Sequence, residues 1–289
     1  MFAQRENLNM RRVVIVSTLA LAFIPMGGLP VRAEDSPADV LRVCADPNNL
    51  PFSNRDGAGF ENRLGELVAK KLGMSVSYTW WAQRRGFIRN TLKAKDCDVV
   101  MGVPARYDLV ETTKPYYRSS YVLVTRADRD LNVTSLEDPA LKTLKIGVHL
   151  IGNDGNNTPP AHALSELGLT ANVQGFMIYG DYREPNPPAR LIEAVEKGDI
   201  DVAAAWGPLA GYAARQSQVP LTVRLIEDGE HFAPLRFQFE IAMGVRKGDH
   251  ALRDKLDAVI ADSKSEIDAL LRDYGVPLLN LRTAGGSQK

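Results

Sequence analysis

Catalytic spacing is what this sequence lacks first. Its four histidines, His149, His162, His231 and His250, stand at neither HExxH nor HxxxH spacing, and no Cys–His pair has metal-ligand spacing. A G-x-S-x-G elbow, a Rossmann glycine fingerprint and a Walker loop are absent too, so hydrolase, dinucleotide and P-loop chemistries have no motif to stand on. The oxygen-rich "NDGNN" (153–157) lacks the glycine position and closing glutamate of a calcium loop and reads as a surface turn. No enzyme, metal or cofactor is expected.

Long apolar runs are also scarce. Arg5, Arg11 and Arg12 precede "VVIVSTLALAFIPMGG", and "VRA" ends at Ala33. This is the pattern of a signal peptide over residues 1–33, cleaved near Ala33. The run is shorter than the roughly 20 residues of a membrane span, no later stretch is longer, and no lipobox cysteine follows. An exported, soluble, periplasmic monomer starting near Glu34 is the expectation. Charge of one sign is missing as well. Without residues 1–33, which hold four Arg and one Glu, 31 basic and 34 acidic residues remain over 256 positions, a net charge of −3. That balance argues against nucleic acid or an anionic membrane as partner.

There are only 2 cysteines, Cys44 and Cys97. Export permits a disulfide between them, and a loop of that length stabilises by roughly 4 kcal/mol in the chain-entropy view. Simple parallel register would set them near ~10 Å apart, too far for a bridge. A disulfide and two buried thiols in neighbouring strands both stay open.

What is present alternates in period. "LRVCA" (41–45), "SVSYTW" (75–80) and "CDVVMG" (97–102) read as strands, separated by helices at "FENRLGELVAKKLG" and "FIRNTLKAK". After the strand "YVLVT" (121–125) the pattern restarts. Strands are expected at 145–150, 173–179, 200–206 and 221–226, with helices at 159–169 and at 187–199, the latter entered by Pro and stopped at Gly198. The chain closes with a strand and one long helix capped by Asp249, striped by Leu252, Leu256, Val259, Ile260, Ile267, Leu270 and Leu271. The β-α-β order implies an α/β fold, with parallel sheets and right-handed crossovers in two similar units.

The stretches "LRVCADPNNLPFSN", "GFENRLGELVAKKLG", "KAKDCDVVMGV" and "YDLVETTKPYYRSSYVLV" resemble the type II periplasmic solute-binding proteins. That resemblance covers roughly residues 40 to 278. It implies two lobes, each a mostly parallel sheet flanked by helices, with residues 34–126 and 238–280 as the first and 127–237 as the second. Hinge crossings would lie near Val124–Ala127 and Phe237–Glu240, and 281–289 would be a flexible tail. Within that superfamily "TWWAQRRGFIRNTL", "CDVVMGVPARYDLVETTKPYYRS" and "AWGPLAGYAA" are similar to the MxaJ/XoxJ type. This type implies a partner of a PQQ-dependent methanol dehydrogenase, with its cytochrome c as a further contact. A solute receptor for a transporter, taking a small apolar or aromatic molecule, is the alternative.

Family members that bind amino acids clamp the ligand carboxylate with an arginine, whose counterpart here is Arg106, with Val103 in place of the usual threonine. Where they hold the ligand amine with an aspartate, this chain has Trp206. An indole removes the partner of a buried ammonium and adds a broad apolar surface. The "HLIGNDGNNTPPAHAL" region carries an insertion and two prolines where a tight Gly-Thr turn is usual. A small zwitterion is therefore not the expected ligand.

Adjacent Trp80 and Trp81 cannot both enter one core from a strand, because neighbouring side chains point to opposite faces. Both are placed at the carboxyl end of the second strand, where open α/β sheets present ligands. With Trp206 from the facing lobe, Tyr116, Tyr117 and Tyr121 near the first hinge, Phe87 beyond, and Arg84 and Arg85 on the rim, they form the expected aromatic cleft for a partner, and Arg106 is a further ligand or partner contact. The competing assignments are a packed Trp80, a solvated helix start at Arg84 and Arg85, and an Arg106 that only bridges Asp108 or Glu111.

Overall fold

The computed structural model describes residues 39–151, 157–178 and 183–281. The expected leader, most of the "NDGNN" turn and the end of the tail lie outside the described residues. The chain enters through β1 (Val40–Ala45), turns through a small hairpin of β2 (Asn48–Asn49) and β3 (Ser53–Asn54), and forms helix α1 (Phe60–Lys71). It continues with β4 (Ser75–Trp80), α2 (Phe87–Asn90), β5 (Val99–Pro104), β6 (Glu111–Thr112) and the ten-residue β7 (Tyr117–Arg126). Next come β8 (Ile146–Leu150), α3 (Pro159–Glu166), β9 (Val173–Met177), α4 (Arg190–Lys197), β10 (Val202–Trp206), α5 (Gly207–Gln216) and β11 (Leu221–Leu225). The last elements are β12 (Gln238–Val245), α6 (His250–Asp262) and α7 (Lys264–Asp273).

The strands run in the order β4-β1-β5-β12-β7-β10-β8-β9, with β11 also on β7 and β6 on β12. Pairing is parallel where β1 meets β4 and β5, and where β8 meets β9 and β10. It is antiparallel wherever β7 or β12 takes part. This is the expected α/β architecture: two parallel flanks, each built of βαβ units, joined through two long antiparallel strands. The partners of β7 change between Ser120, opposite Gln238, and Tyr121, opposite Trp206.

Each flank buries its own core. Leu41, Val43, Phe60, Leu64, Val68, Met101, Leu256, Ile260 and Leu271 pack between the first flank and α1, α6 and α7. Val122, Val124, Leu191, Val195, Ala203 and Ala205 fill the space between the second flank and α4 and α5. The side chain of Asn62 ties α1 to the hairpin, its Oδ1 accepting from the N–H groups of Asn54 and Gly59. Asp249 caps α6 as its spacing predicts, accepting from the Leu252 N–H.

Three features differ from the sequence-based expectation. The closing helix is two helices, because the chain breaks at buried Ser263 (φ −110, ψ 16) and restarts as α7. Both halves still bury the predicted residues Leu256, Val259, Ile260, Ile267 and Leu271. Helix α5 has no counterpart in the expectation: "GPLAGYAARQ" opens on Gly-Pro and carries an internal Gly211, which weakens its helical signature. Strand β7 begins at Tyr117 rather than Tyr121.

Cys44 and Cys97 form a disulfide with Cα atoms 5.4 Å apart. The simple register argument fails because Cys97 is not in β5. The chain turns at Lys95 (φ 67), and the Asp98 N–H donates to the Arg42 carbonyl, which draws Cys97 over β1. Asp98 then takes ion pairs from Arg42 and Arg246, and those hydrogen bonds hold its carboxyl below the usual carboxylate range against the opposing effect of burial.

Candidate functional site

The carboxyl ends of β1, β5, β8 and β10 converge on one cleft, as expected for open α/β sheets. It encloses a cavity of about 330 Å³. Asp46, which follows β1, Phe52, Glu61 in the first turn of α1, and Tyr117 form one wall. His149 at the end of β8, Pro187, Pro188 and Trp206 form the opposite wall, with Tyr121, Phe239 and Ile241 between them.

An aromatic lattice joins Trp206 of the opposite wall to the rings between the walls. Trp206 lies 5.3 Å from Tyr121 and 5.8 Å from Phe239, measured between ring centres, and Tyr121 contacts Phe237 edge-on at 6.2 Å. Such tilted contacts suit the ring quadrupoles and make a firm apolar surface. Burial raises the hydroxyl pKa values of Tyr121, Tyr116 and Tyr117 above the ordinary value.

Two carboxyl groups face the cavity in contrasting states. Asp46 is satisfied by the backbone: its Oδ1 accepts from the Asn48 N–H at 2.8 Å and its Oδ2 from the Gln83 N–H at 2.6 Å. Glu61 is only 7% exposed, and burial together with the nearby Asp46 charge pushes its pKa up to about 8. Its Oε1 passes so close to Gly102 that a Cβ there would lie 2.1 Å away, so position 102 leaves space for the carboxyl only as glycine. On the facing wall His149 is buried, and burial lowers its pKa to about 4. It is neutral at neutral pH, with Nε2 3.0 Å from the Pro188 carbonyl and placed to donate to it.

One side chain bridges the walls. Asn48 Nδ2 donates to the Glu184 carbonyl at 2.7 Å, and its Oδ1 accepts from the Asn186 N–H at 3.0 Å. The bridge crosses from the β2–β3 hairpin to the segment leading into α4.

Of the residues the sequence singled out, Tyr117, Tyr121 and Trp206 line the cavity. The others lie elsewhere. Trp80 is half-buried and stacks on Tyr78 at 4.9 Å, with the Arg55 guanidinium 5.8 Å from its ring. Trp81 is 43% exposed just past the end of β4, where the strand has already stopped. Arg84 and Arg85 are exposed beyond the cavity, and Arg106 is exposed with a left-handed backbone (φ 64). Phe87 is buried beside the disulfide with Ile88 and Leu92. Tyr116 is fully buried and its hydroxyl donates to the Met101 carbonyl at 2.9 Å. Both are core residues, because α2 and the start of β7 turn these rings inward. Asp46, Glu61, Asn48 and His149 were not singled out, though Asp46 directly follows a buried strand, the position where ligand-facing groups collect.

Among the described residues no group of three or more His, Cys, Asp or Glu is arranged to hold a metal, and no helix is long and apolar enough to cross a membrane.

Residues 41–276 match the family described as bacterial extracellular solute-binding proteins, family 3. The chain is 34% identical to protein MoxJ of Methylorubrum extorquens, over 92% of this chain and 94% of that protein. It is 29% identical to MoxJ of Paracoccus denitrificans, over 83% and 89% of the two chains. The crystal structure of periplasmic binding protein XoxJ from Methylobacterium extorquens superposes with a TM-score of 0.69 at 38% identity, covering 83% of this chain and all of that one. The chain belongs to family 3 of the bacterial extracellular solute-binding proteins, and within it to the type represented by MoxJ and XoxJ.

Proposed function

We propose that this chain is a periplasmic, non-catalytic accessory protein that binds a PQQ-dependent methanol dehydrogenase and assists its assembly, activation or electron transfer. The likeness to MoxJ and XoxJ supports this reading. The observation that carries it lies in the cleft. Arg106, the counterpart by resemblance of the carboxylate clamp, is absent from the cavity lining, and Trp206, the counterpart by resemblance of the amine-binding aspartate, lines it. What remains is an aromatic surface suited to burying a segment of another protein. Trp81, Arg84 and Arg85, exposed in the β4–α2 connection, supply a second contact beside it. The reading takes 34–126 with 238–280 as one lobe and 127–237 as the other; the change of strand partners within β7 supports a junction there.

Titration calorimetry of residues 34–289 against purified PQQ methanol dehydrogenase tests this. Saturable binding that weakens at least tenfold in Trp206→Ala is expected, and no heat at tens of micromolar would sink the proposal. The same titration against the enzyme's cytochrome c tests the second partner. A transporter receptor for a small apolar or aromatic solute is the competing function, favoured by the volume and the mostly apolar lining of the cavity. A thermal-shift screen that raises Tm with such a solute, combined with silence toward the dehydrogenase, would replace the first proposal with this one.

A further inference from the structure

The polar groups of the cavity walls are mostly uncharged, and the formal charges among them are of one sign. Among the described residues lining it, the acidic groups are Asp46 and Glu61, and no lysine or arginine is present. Asp46 is already occupied by two backbone N–H groups. Glu61 is different: its side chain is more than nine-tenths buried, it faces the cavity, and nothing among the described residues donates a hydrogen bond to its carboxyl. An acid so placed is costly to ionise unless a cation comes to it. The rings of Phe52 and Tyr117, which also line the cavity, give an apolar body and an ammonium their natural surroundings.

We propose that this cleft takes an ammonium group carried on an apolar stem and without an accompanying carboxylate, with Glu61 as the group that pairs with it. The absence of Arg106 from the lining excludes the clamp that an amino-acid carboxylate would need. Trp206 offers the stem a wall rather than a charge. The other titratable groups facing the site are Asp46, just past β1, whose carboxyl is satisfied, and Tyr117 and Tyr121 from β7 and His149 from β8, which are neutral. The proton displaced from Glu61 when the cation binds passes to solvent, so charge balances. The stem and ammonium belong either to a free amine or to a lysine of a docked partner. The inference concerns the cleft used in the proposed function, but its primary test needs no dehydrogenase.

The probes are 2-phenylethylamine and its isosteric acid, 3-phenylpropionate, each titrated calorimetrically into residues 34–289 at pH 8.5. Saturable binding of the amine and none of the acid is expected, with at least tenfold weaker amine binding in Glu61→Gln. Failure of the amine to bind, equal binding of the acid, or undiminished binding in a folded Glu61→Gln would each overturn the inference. The amine–acid comparison uses the unaltered chain, so it decides the matter even if the variant does not fold. Adding the amine to a preformed dehydrogenase complex then separates the sources: displacement assigns the ammonium to the partner's lysine, and a surviving complex assigns it to a free amine. Dehydrogenase binding without amine binding would remove this inference and leave the partner role standing.

Discussion

Gly211 in α5 and Gly275, just past α7, touch backbone to backbone: a Cβ on Gly211 would lie 1.9 Å from the Gly275 carbonyl oxygen. Around that contact Tyr212 stacks on Tyr274 at 5.8 Å, and Arg215 donates to the Arg272 carbonyl. The helix of one flank is thus fastened to the C-terminal segment of the other. Gly211→Ala must push two backbones apart, at a cost of about 2 kcal/mol or more. For a domain of this size that lowers Tm by roughly 4–8 °C. A thermal melt showing less than a one-degree change would mean the contact yields freely.

Glu61 makes stability depend on pH. Its folded-state pKa is about 8 against an ordinary 4.5, so the folded chain holds this proton more tightly than the unfolded one. Its contribution is therefore whole below about pH 4.5, declines as pH rises, and levels off above about 8. Glu61→Gln removes this decline and is expected to be the more stable protein at pH 8, by an amount on the order of a few kcal/mol. Urea midpoints of both proteins from pH 4 to 9 measure it; a wild-type curve that rises toward pH 8 contradicts the assignment.

His149 acts with the opposite sign. Its folded-state pKa is about 4 against an ordinary 6.5, so stability is lost as pH falls from 6.5 toward 4. Between about pH 4.5 and 6.5 the two residues' slopes offset each other, and the unaltered protein should show a plateau. In His149→Gln the plateau becomes a slope, with stability rising as pH drops through that interval. The same urea series reads this, and an unchanged plateau in the variant rules out the offset.

Asn48 ties the two walls of the cleft through two hydrogen bonds to the Glu184 and Asn186 backbone. Asn48→Ala is expected to loosen the walls while costing the whole fold no more than about 1–2 kcal/mol, since the contacts are partly solvated. Small-angle scattering should give a larger radius of gyration for the variant at an almost unchanged Tm. Equal radii would show that the junction holds the walls without this bridge.

The sheet was legible because its signals are local. Alternation in Ser75–Trp80 and the buried run Val202–Trp206 fix strands whatever they pack against. The site was legible where the type of residue had changed, as at Trp206, and where aromatics cluster near the strand crossing, as at Tyr117 and Tyr121. Glu61 looks like an ordinary acidic residue in a first helical turn; its state arises from burial against Gly102 of β5 and from the charge of Asp46, just past β1. Phe87 and Tyr116 were misplaced for the converse reason. Their surroundings are made by the disulfide turn and by the early start of β7, neither of which leaves a local trace.

Strand β7 gives its first four residues to β12 and the rest to β10 and β11. Neither flank owns it. A gene split inside 117–126 would leave both products lacking a piece of their middle, and they should not reassemble as two independently folded parts. A split in the connection after Arg126 keeps this strand whole on the first fragment, which would then offer a ready template edge to the second. Fragment reconstitution is therefore expected to tolerate a break on one side of β7 and to fail within it.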